Sequence, residues 1–263
     1  MIKFFRKIRY DLMEKNKTGK YFKYAIGEIV LVVIGILIAI SINNWNQSQK
    51  EKQIEAQYLN NIVRDLNEQL HSIDTQIRSE QSFYETASYL IEDYNIDHAF
   101  TLDSIFYKRA TFLIYRKTFV ITAPTYTDLI SSGNIRFIKN QANKDQILNY
   151  YQELERIERI IQNNNSLLID KHYSEIFLKN GYSYRNMFGF IGKSLSKYPG
   201  HLVIPNYETD FQEISKSLIL KDENKLALMN AIALRQTLAL GHYGFLLSAK
   251  SDTESLIEEL EHE

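Results

Sequence analysis

From Ala25 to Ile42 the chain reads AIGEIVLVVIGILIAISI, an apolar run broken by a single charge, Glu28. A strand is far shorter than this, and a buried helix of a soluble protein seldom carries so long a run of Ile, Val and Leu. As a helix, Tyr21 to Trp45 spans roughly 37 Å at 1.5 Å per residue, enough to cross a ~30 Å hydrocarbon core. Tyr21, Phe22 and Tyr24 stand at one end and Trp45 at the other, where an aromatic belt belongs. The expected element is one transmembrane helix over residues 21–45.

The charge pattern supplies an orientation. Lys3, Arg6, Lys7, Arg9, Lys15, Lys17, Lys20 and Lys23 precede the apolar run, against two acids, Asp11 and Glu14, so the acidic excess lies in the rest of the chain. A basic arm ahead of a membrane span stays in the cytoplasm, which places residues 46–263 outside the inner membrane and argues against nucleic acid as the partner of the arm. The long flank and the lack of an A-x-A pattern after the run speak for an uncleaved anchor over a cleaved signal peptide. Residues 1–20 are then a basic cytoplasmic arm. Phe4, Phe5, Ile8 and Leu12 have helical spacing in it. It reads equally as an amphipathic helix on the anionic leaflet or as a solvated tail.

The string YAIGEIVLVVIGILIAISINNWN, preceded by FFRKIR, resembles an uncharacterised family of single-pass membrane proteins from Gram-negative bacteria. TYTDLISSGNIRFIKN followed by ILNYYQEL is similar to that family's recurring central segment. Together these strings cover about a quarter of the chain. The family is a domain of unknown function, so the resemblance implies topology and helical character and brings no catalytic residues with it.

Beyond Trp45 the pattern is helical throughout. Leu59, Val63, Leu66, Leu70, Ile73, Ile77, Tyr84, Ala87, Ile91 and Tyr94 alternate steps of four and three, with Glu80 the one polar interruption, the seam of a left-handed bundle or coiled coil. A long stalk helix over about 47–94 follows, with a turn at Asn95–Asp97 and a helix from Leu102 to Arg116. The β-branched run Thr118–Thr122 reads as an extended connector. Pro124 suits a first helical position and Gly133 a left-handed C-cap, giving a helix over Pro124–Ser132. Asn140 or Asn143 caps the next helix, whose seam is Ile147, Tyr150, Leu154, Ile157, Ile161, Asn164 and Leu168. Asn164 at a seam position would fix register in a coiled coil at a stability cost, but the plainer reading of three consecutive asparagines, 163–165, is a helix break there. Asp222 is the expected cap of a last helix toward Leu260, weakened at Gly241 and Gly244. Thr209 and Gln212, and Ser251 and Glu254, form capping-box patterns. The fold class expected is all-α: a membrane helix, then a bundle-like extracytoplasmic domain over 46–263. Only 3 prolines and 10 glycines make a turn-rich β fold a poor fit.

Chemistry is scarce in this sequence. With no cysteine, thiolate metal sites and cysteine nucleophiles are excluded. GFIGKS at 189–194 has Met187 where a phosphate loop needs its first glycine. His172 and Glu175 are one turn apart but form a single, reversed pair, short of a di-metal set. No catalytic residue and no cofactor is expected, and the chain does not read as an enzyme. Two candidate surfaces stand out. Glu28, Gly35 and Ala39 share a face of the span, where small residues permit close approach of another helix; a lone snorkelling carboxylate is the plainer account of Glu28. Tyr182, Tyr184, Phe188, Phe190 and Tyr198 crowd one irregular stretch, either as a ligand or partner surface or as rings packed onto the core.

The expected function is that of a membrane-anchored structural or interaction protein of the cell envelope, which oligomerises or docks another envelope protein. The alternative is a periplasmic ligand-binding, sensor-like module. Its short cytoplasmic arm leaves no room for an output domain, so such a sensor acts with a partner protein.

Overall fold

The computed structural model describes Tyr10, residues 18–184 and residues 210–262. Among these the fold is all-α and no strand occurs. We number the helices α1 (Thr18–Asp97), α2 (Ser104–Phe112), α3 (Pro124–Ser131), α4 (Gln141–Asn164), α5 (Ser174–Asn180), α6 (Asp210–Ile219) and α7 (Asp222–Glu261). A 3₁₀ turn covers Asn134–Phe137, and a π-helical segment, Asn165–Tyr173, joins α4 to α5. The chain divides into two compact units, Met1–Tyr58 and Leu59–Glu263.

In the first unit, α1 carries the apolar run. An eighteen-residue window of mean hydropathy 2.8 has none of its residues buried. Ile29 is 63% exposed and Ile42 62%. By length and composition this helix can cross a membrane.

In the second unit the apolar residues find each other. Besides Asp65, the buried positions of α1 are Ile62, Leu66, Gln69, Ile73, Gln76, Glu80, Phe83, Ala87 and Leu90. They alternate steps of four and three, the repeat that keeps one stripe of a helix against a neighbour. On α7, Leu228, Ile232, Arg235, Ala239, His242, Leu246, Ala249, Thr253, Leu256 and Leu260 repeat the pattern without interruption. The two helices run antiparallel: Asp74 meets Lys250 at 2.9 Å, Glu80 faces Arg235 and His242, and Ser88 meets Gln236 at 2.8 Å. Helix α4 is antiparallel to α7 as well, since Tyr150 meets Thr253 and Asn164 meets His242.

The α1 seam differs from the sequence expectation by half. Leu66, Ile73 and Ala87 are buried in the expected column. Val63, Leu70, Ile77, Tyr84 and Ile91 are only half-buried. The second column instead holds Ile62, Gln69, Gln76, Phe83 and Leu90.

Several helix ends follow from local chemistry. The Asp103 carboxylate accepts the Phe106 amide at 2.8 Å and starts α2, which is shorter than expected, ending at Phe112. Gly133 has φ +70°, a left-handed conformation that closes the α3 region cheaply only because glycine lacks Cβ. Asn140 caps α4, its side chain accepting from the amides of Ala142 and Asn143. Three expectations fail. Helix α1 runs on through Asn95–Asp97, where a turn was expected, and ends at Asp97. Lys221, not Asp222, is the N-cap of α7, and Asp222 is its first helical residue. Gly241 and Gly244 leave α7 unbroken to Glu261, because its buried stripe, not local propensity, holds it. Thr209 lies outside the described residues.

The asparagine break is also corrected. The helix continues through Asn163–Asn165 and widens into the π segment. The wider turn inserts the equivalent of one residue, so the buried stripe passes from Ile161 to Asn165, Ile169 and Tyr173 in place of Asn164 and Leu168.

Candidate functional site

Between α2 and α3 the chain from Leu113 to Ala123 forms no helix, yet Leu113 and Phe119 are fully buried. A buried irregular backbone must find hydrogen-bond partners outside itself. Polar side chains of the surrounding helices supply them. Asp65 Oδ2 accepts the Thr125 amide at 2.9 Å, and Gln69 Oε1 accepts the Thr122 amide at 2.8 Å. Gln76 Nε2 donates to the Lys117 carbonyl at 3.0 Å, which also receives Asn165 Nδ2 at 3.4 Å. Glu158 accepts the Ile121 amide at 3.3 Å. Arg235 donates from Nε to the Leu113 carbonyl and from Nη2 to the Tyr115 carbonyl, both at 3.3 Å. Polar residues of α1, α4, the π segment and α7 are therefore the missing partners of this strap.

Where the ladder meets α7 it becomes a charged node. Glu80, Arg235 and His242 are each 1% exposed. Glu80 Oε1 accepts from Gln76 Nε2 at 3.0 Å, while Oε2 lies 3.8 Å from Arg235 Nη1 and 3.5 Å from His242 Nδ1. These last two are ion-pair distances, too long for direct hydrogen bonds, and Oε2, Nη1 and Nδ1 have no hydrogen-bond partner among the described residues. Asn164 Nδ2 lies 3.0 Å from His242 Nε2. With the amide nitrogen donating, Nε2 accepts and the ring proton sits on Nδ1, turned toward Glu80. The Arg235 guanidinium also lies over the Phe83 ring at 4.1 Å. Burial pushes the Arg235 pKa down to about 10, against the pull of Glu80. Beneath it Tyr173, fully buried, donates to the Ala110 carbonyl at 2.7 Å, and burial holds its phenol well above the usual tyrosine range. The π segment is bracketed by node residues: Asn164 just before it, Asn165 and Tyr173 at its ends. π-helical turns are rare and frequent at functional sites.

The residues singled out from sequence lie elsewhere. Glu28, Gly35 and Ala39 are on α1 in the first unit; Gly35 and Ala39 are exposed, and a Cβ placed on Gly35 would meet nothing within 4 Å beyond its own helix among the described residues. Tyr182 packs edge-on against Tyr107 with ring centroids 5.8 Å apart. The Tyr184 amide donates to Thr111 Oγ1 at 2.9 Å, and Lys108 lies over its ring. Both pack against the core cluster. Phe188, Phe190, Tyr198 and the GFIGKS stretch lie outside the described residues. Tyr182 borders a surface groove of about 330 Å³ with Leu178, Phe211, Ile214 and Leu218. His172 and Glu175 are exposed, and among the described residues no group of three or more His, Asp or Glu side chains converges as a metal site.

The family model described as a family of unknown function (DUF6090) matches residues 28–193, more than half of the chain. The chain belongs to this family. None of the curated proteins and none of the solved structures matches it. The DUF6090 match runs from Glu28 through the apolar helix, the strap and the π segment, so it takes in Asp65, Gln69, Gln76, Glu80, Asn164 and Asn165. It ends before α7, so Arg235 and His242 join the node from outside the matched range. Sequence reasoning flagged Glu80 only as an interruption and Asn164 as a seam asparagine or, more plainly, a break. The available signal was Arg235 and His242, seven residues apart on an α7 stripe that is otherwise apolar but for Thr253, facing a polar position of α1.

Proposed function

We propose that this DUF6090 protein is a single-pass anchor of the inner membrane, with its basic arm in the cytoplasm and a helical, bundle-like periplasmic domain that oligomerises or docks another envelope protein. The observation that carries this is the exposed apolar stretch of α1. From Ile29 to Ile42 every Ile, Val and Leu is about half exposed or more, and burying such surface in hydrocarbon is worth about 25 cal/mol per Å². The lysines and arginines before it favour the cytoplasmic side. The protein is read as non-enzymatic, with an interaction role and no nucleic-acid partner.

A sensor-like ligand-binding module is the second reading, and the buried node is what favours it. Against it, Glu80, Arg235 and His242 line none of the cavities described here, which are surface grooves of about 270 to 330 Å³.

Two experiments test the proposal. A reporter that is active only in the periplasm, fused after Glu263, is expected to be active, and one fused near Lys17 silent; the reverse pattern refutes the topology. Affinity purification from gently solubilised membranes, with partners and oligomer mass determined together, is expected to give an assembly larger than the monomer. A monomer that co-purifies with nothing but a small molecule supports the sensor reading.

A further inference from the structure

The outward face of α7 lacks the charges of a solvent-facing helix. From Leu226 to Ala249 the charged or titratable residues that matter at neutral pH are Arg235 and His242, and both are buried in the node. What is exposed instead is apolar or small. Leu240 is 54% exposed and Leu247 43%. Beside them Thr237, Gly241, Gly244, Ser248 and Ser251 are exposed at alternating steps of four and three. A helix that is apolar on both faces is covered on both, and α1 and α4 cover only the inner face of α7. The two glycines sharpen the point. In the middle of a helix each is less stable than alanine. Nothing described in the chain asks for them: a Cβ on Gly241 or Gly244 would meet nothing within 4 Å beyond its own helix. What glycine permits there is the close approach of another backbone.

We propose that this face docks a second copy of the chain, the two α7 helices crossing at Gly244. The proposal deepens the reading of the protein as a membrane anchor that oligomerises, and rests on it. The face supplies both halves of such a contact. Leu240 and Leu247, seven residues apart, are the knobs, and Gly241, Gly244 and Ser248 leave the holes. It holds no exposed charge that a like copy would repel. A two-fold contact sets the residue at the crossing point against its own copy, and Gly244 is the middle of the small-residue stripe. Charges appear only at the border, as in the polar rim of an interface. Glu85 of α1 edges the groove of Leu240 and Tyr243, and Arg156 of α4 lies over Phe245.

The size of the face explains why an anchor is needed. The charge-free stretch is about 36 Å long and about 10 Å wide, so it buries on the order of 400 Å² per copy. A standard interface takes about 800 Å² from each partner. Such a contact is weak between free molecules. Copies confined to one membrane by their α1 spans meet at a raised effective concentration, which a weak contact can use. A second copy always shares that confinement.

The full chain has no cysteine, so single cysteines report contacts without background. The chain is reconstituted alone into phosphatidylethanolamine–phosphatidylglycerol vesicles and floated with them on a density gradient. Under mild oxidation Gly244→Cys is expected to form disulfide-linked dimers, and Ser131→Cys, exposed on α3, to stay monomeric. Copies labelled through Ser131→Cys and counted by photobleaching are expected to occur in pairs. Gly241→Leu/Gly244→Leu fills the holes and is expected to leave single copies. In dilute detergent, where copies are apart, that variant is expected to melt no lower than the unaltered chain, since leucine favours an exposed helix over glycine. The inference alone is overturned if the floated chain stays single, which leaves the face to a different envelope protein. It is also overturned if Gly244→Cys does not crosslink, if Ser131→Cys crosslinks as readily, or if the double-leucine variant still pairs. A double-leucine variant that melts lower in detergent assigns the glycines to packing within the chain and overturns it too. A chain that does not float with the vesicles overturns the anchor and this inference together.

Discussion

Asp65 caps a helix that begins fifty-nine residues after it. Its Oδ2 accepts the Thr125 amide at 2.9 Å, while Oδ1 pairs with Arg64 at 2.9 Å. Helix α3 starts at Pro124 after Ala123, which has no side-chain acceptor to offer. Pro124 itself lacks an N–H, so Thr125 carries the first free amide of the helix, and Thr125 is buried. A carboxylate at a helix N-terminus also meets the positive end of the helix dipole.

Asp65→Ala removes that acceptor and leaves a buried donor unpaired, so it should cost about 2 kcal/mol, within the range for lost caps and orphaned amides. Asp65→Asn keeps an oxygen in place and should cost less than half as much. Urea unfolding of the full chain, followed by the near-ultraviolet circular dichroism of its tyrosines, measures both. Equal losses for the two variants would mean that charge, not the hydrogen bond, is what matters there.

The node makes a sharper contrast. Glu80→Ala strands Arg235 and His242 in the interior and should destabilise by about 3–5 kcal/mol. Replacing Glu80, Arg235 and His242 together by leucine removes the charges along with their desolvation cost and should restore most of that loss, because Ile73, Phe83, Ala239 and Leu246 beside them are apolar and Gln76 keeps the Lys117 carbonyl as its partner. The same urea midpoints decide it. A triple variant as unstable as Glu80→Ala would show that the strap carbonyls of Leu113 and Tyr115, left without Arg235, dominate the balance.

How much of this was legible in the sequence depends on whether a residue's reason lies nearby. Gly133, Pro124 and Asn140 act on their own backbone, and each is where its local chemistry places it. The membrane-length helix is equally local, since its length and apolarity are written in one run. The α1 seam was half legible: the column of Leu66, Ile73 and Ala87 is apolar, whereas Gln69 and Gln76 look like surface residues. They are buried because a non-helical strap, distant in sequence, needs partners for its backbone. No periodicity count reveals that need. Asn164 was misjudged for a related reason. Three asparagines are poor helix formers alone, but His242 and the Lys117 carbonyl reward two of them for staying helical.

The buried tyrosines predict an alkaline limit. Burial raises Tyr150 to about 12, and pushes Tyr151 and Tyr173 up as well. A phenol whose folded pKa lies above its ordinary value of about 10 gives stability that is whole below pH 10 and lost as pH rises through the folded value. Stability should therefore fall between about pH 10 and 12. Tyr150→Phe, which also gives up the 2.8 Å bond to Thr253, should be less stable than the unaltered chain at neutral pH and converge on it as pH rises. Parallel pH curves for the two proteins would contradict a buried, neutral Tyr150.

The membrane face gives the last prediction. Gly35 and Ala39 lie on one side of α1 with Glu28 toward its N-terminal end, in a run otherwise built of Ile, Leu and Val. Lipid chains are as apolar as those side chains, so burial alone gives two spans no reason to associate; close packing over small residues does. A Cβ added at Gly35 meets nothing within 4 Å among the described residues beyond the backbone of its own helix, so Gly35→Ile is expected to leave that helix intact, and a loss of association is expected to come from a contact outside it. Gly35→Ile and Ala39→Ile are expected to weaken crosslinking between copies, or to a partner, in native membranes, while exchanging Val33 or Ile36 for a residue of similar size does little. Glu28→Gln should preserve association if the carboxylate acts by hydrogen bonding across the contact, and Glu28→Leu should reduce it. If the two isoleucine variants crosslink as the unaltered chain does, the span serves only as an anchor, and assembly must be assigned to the helices that follow it.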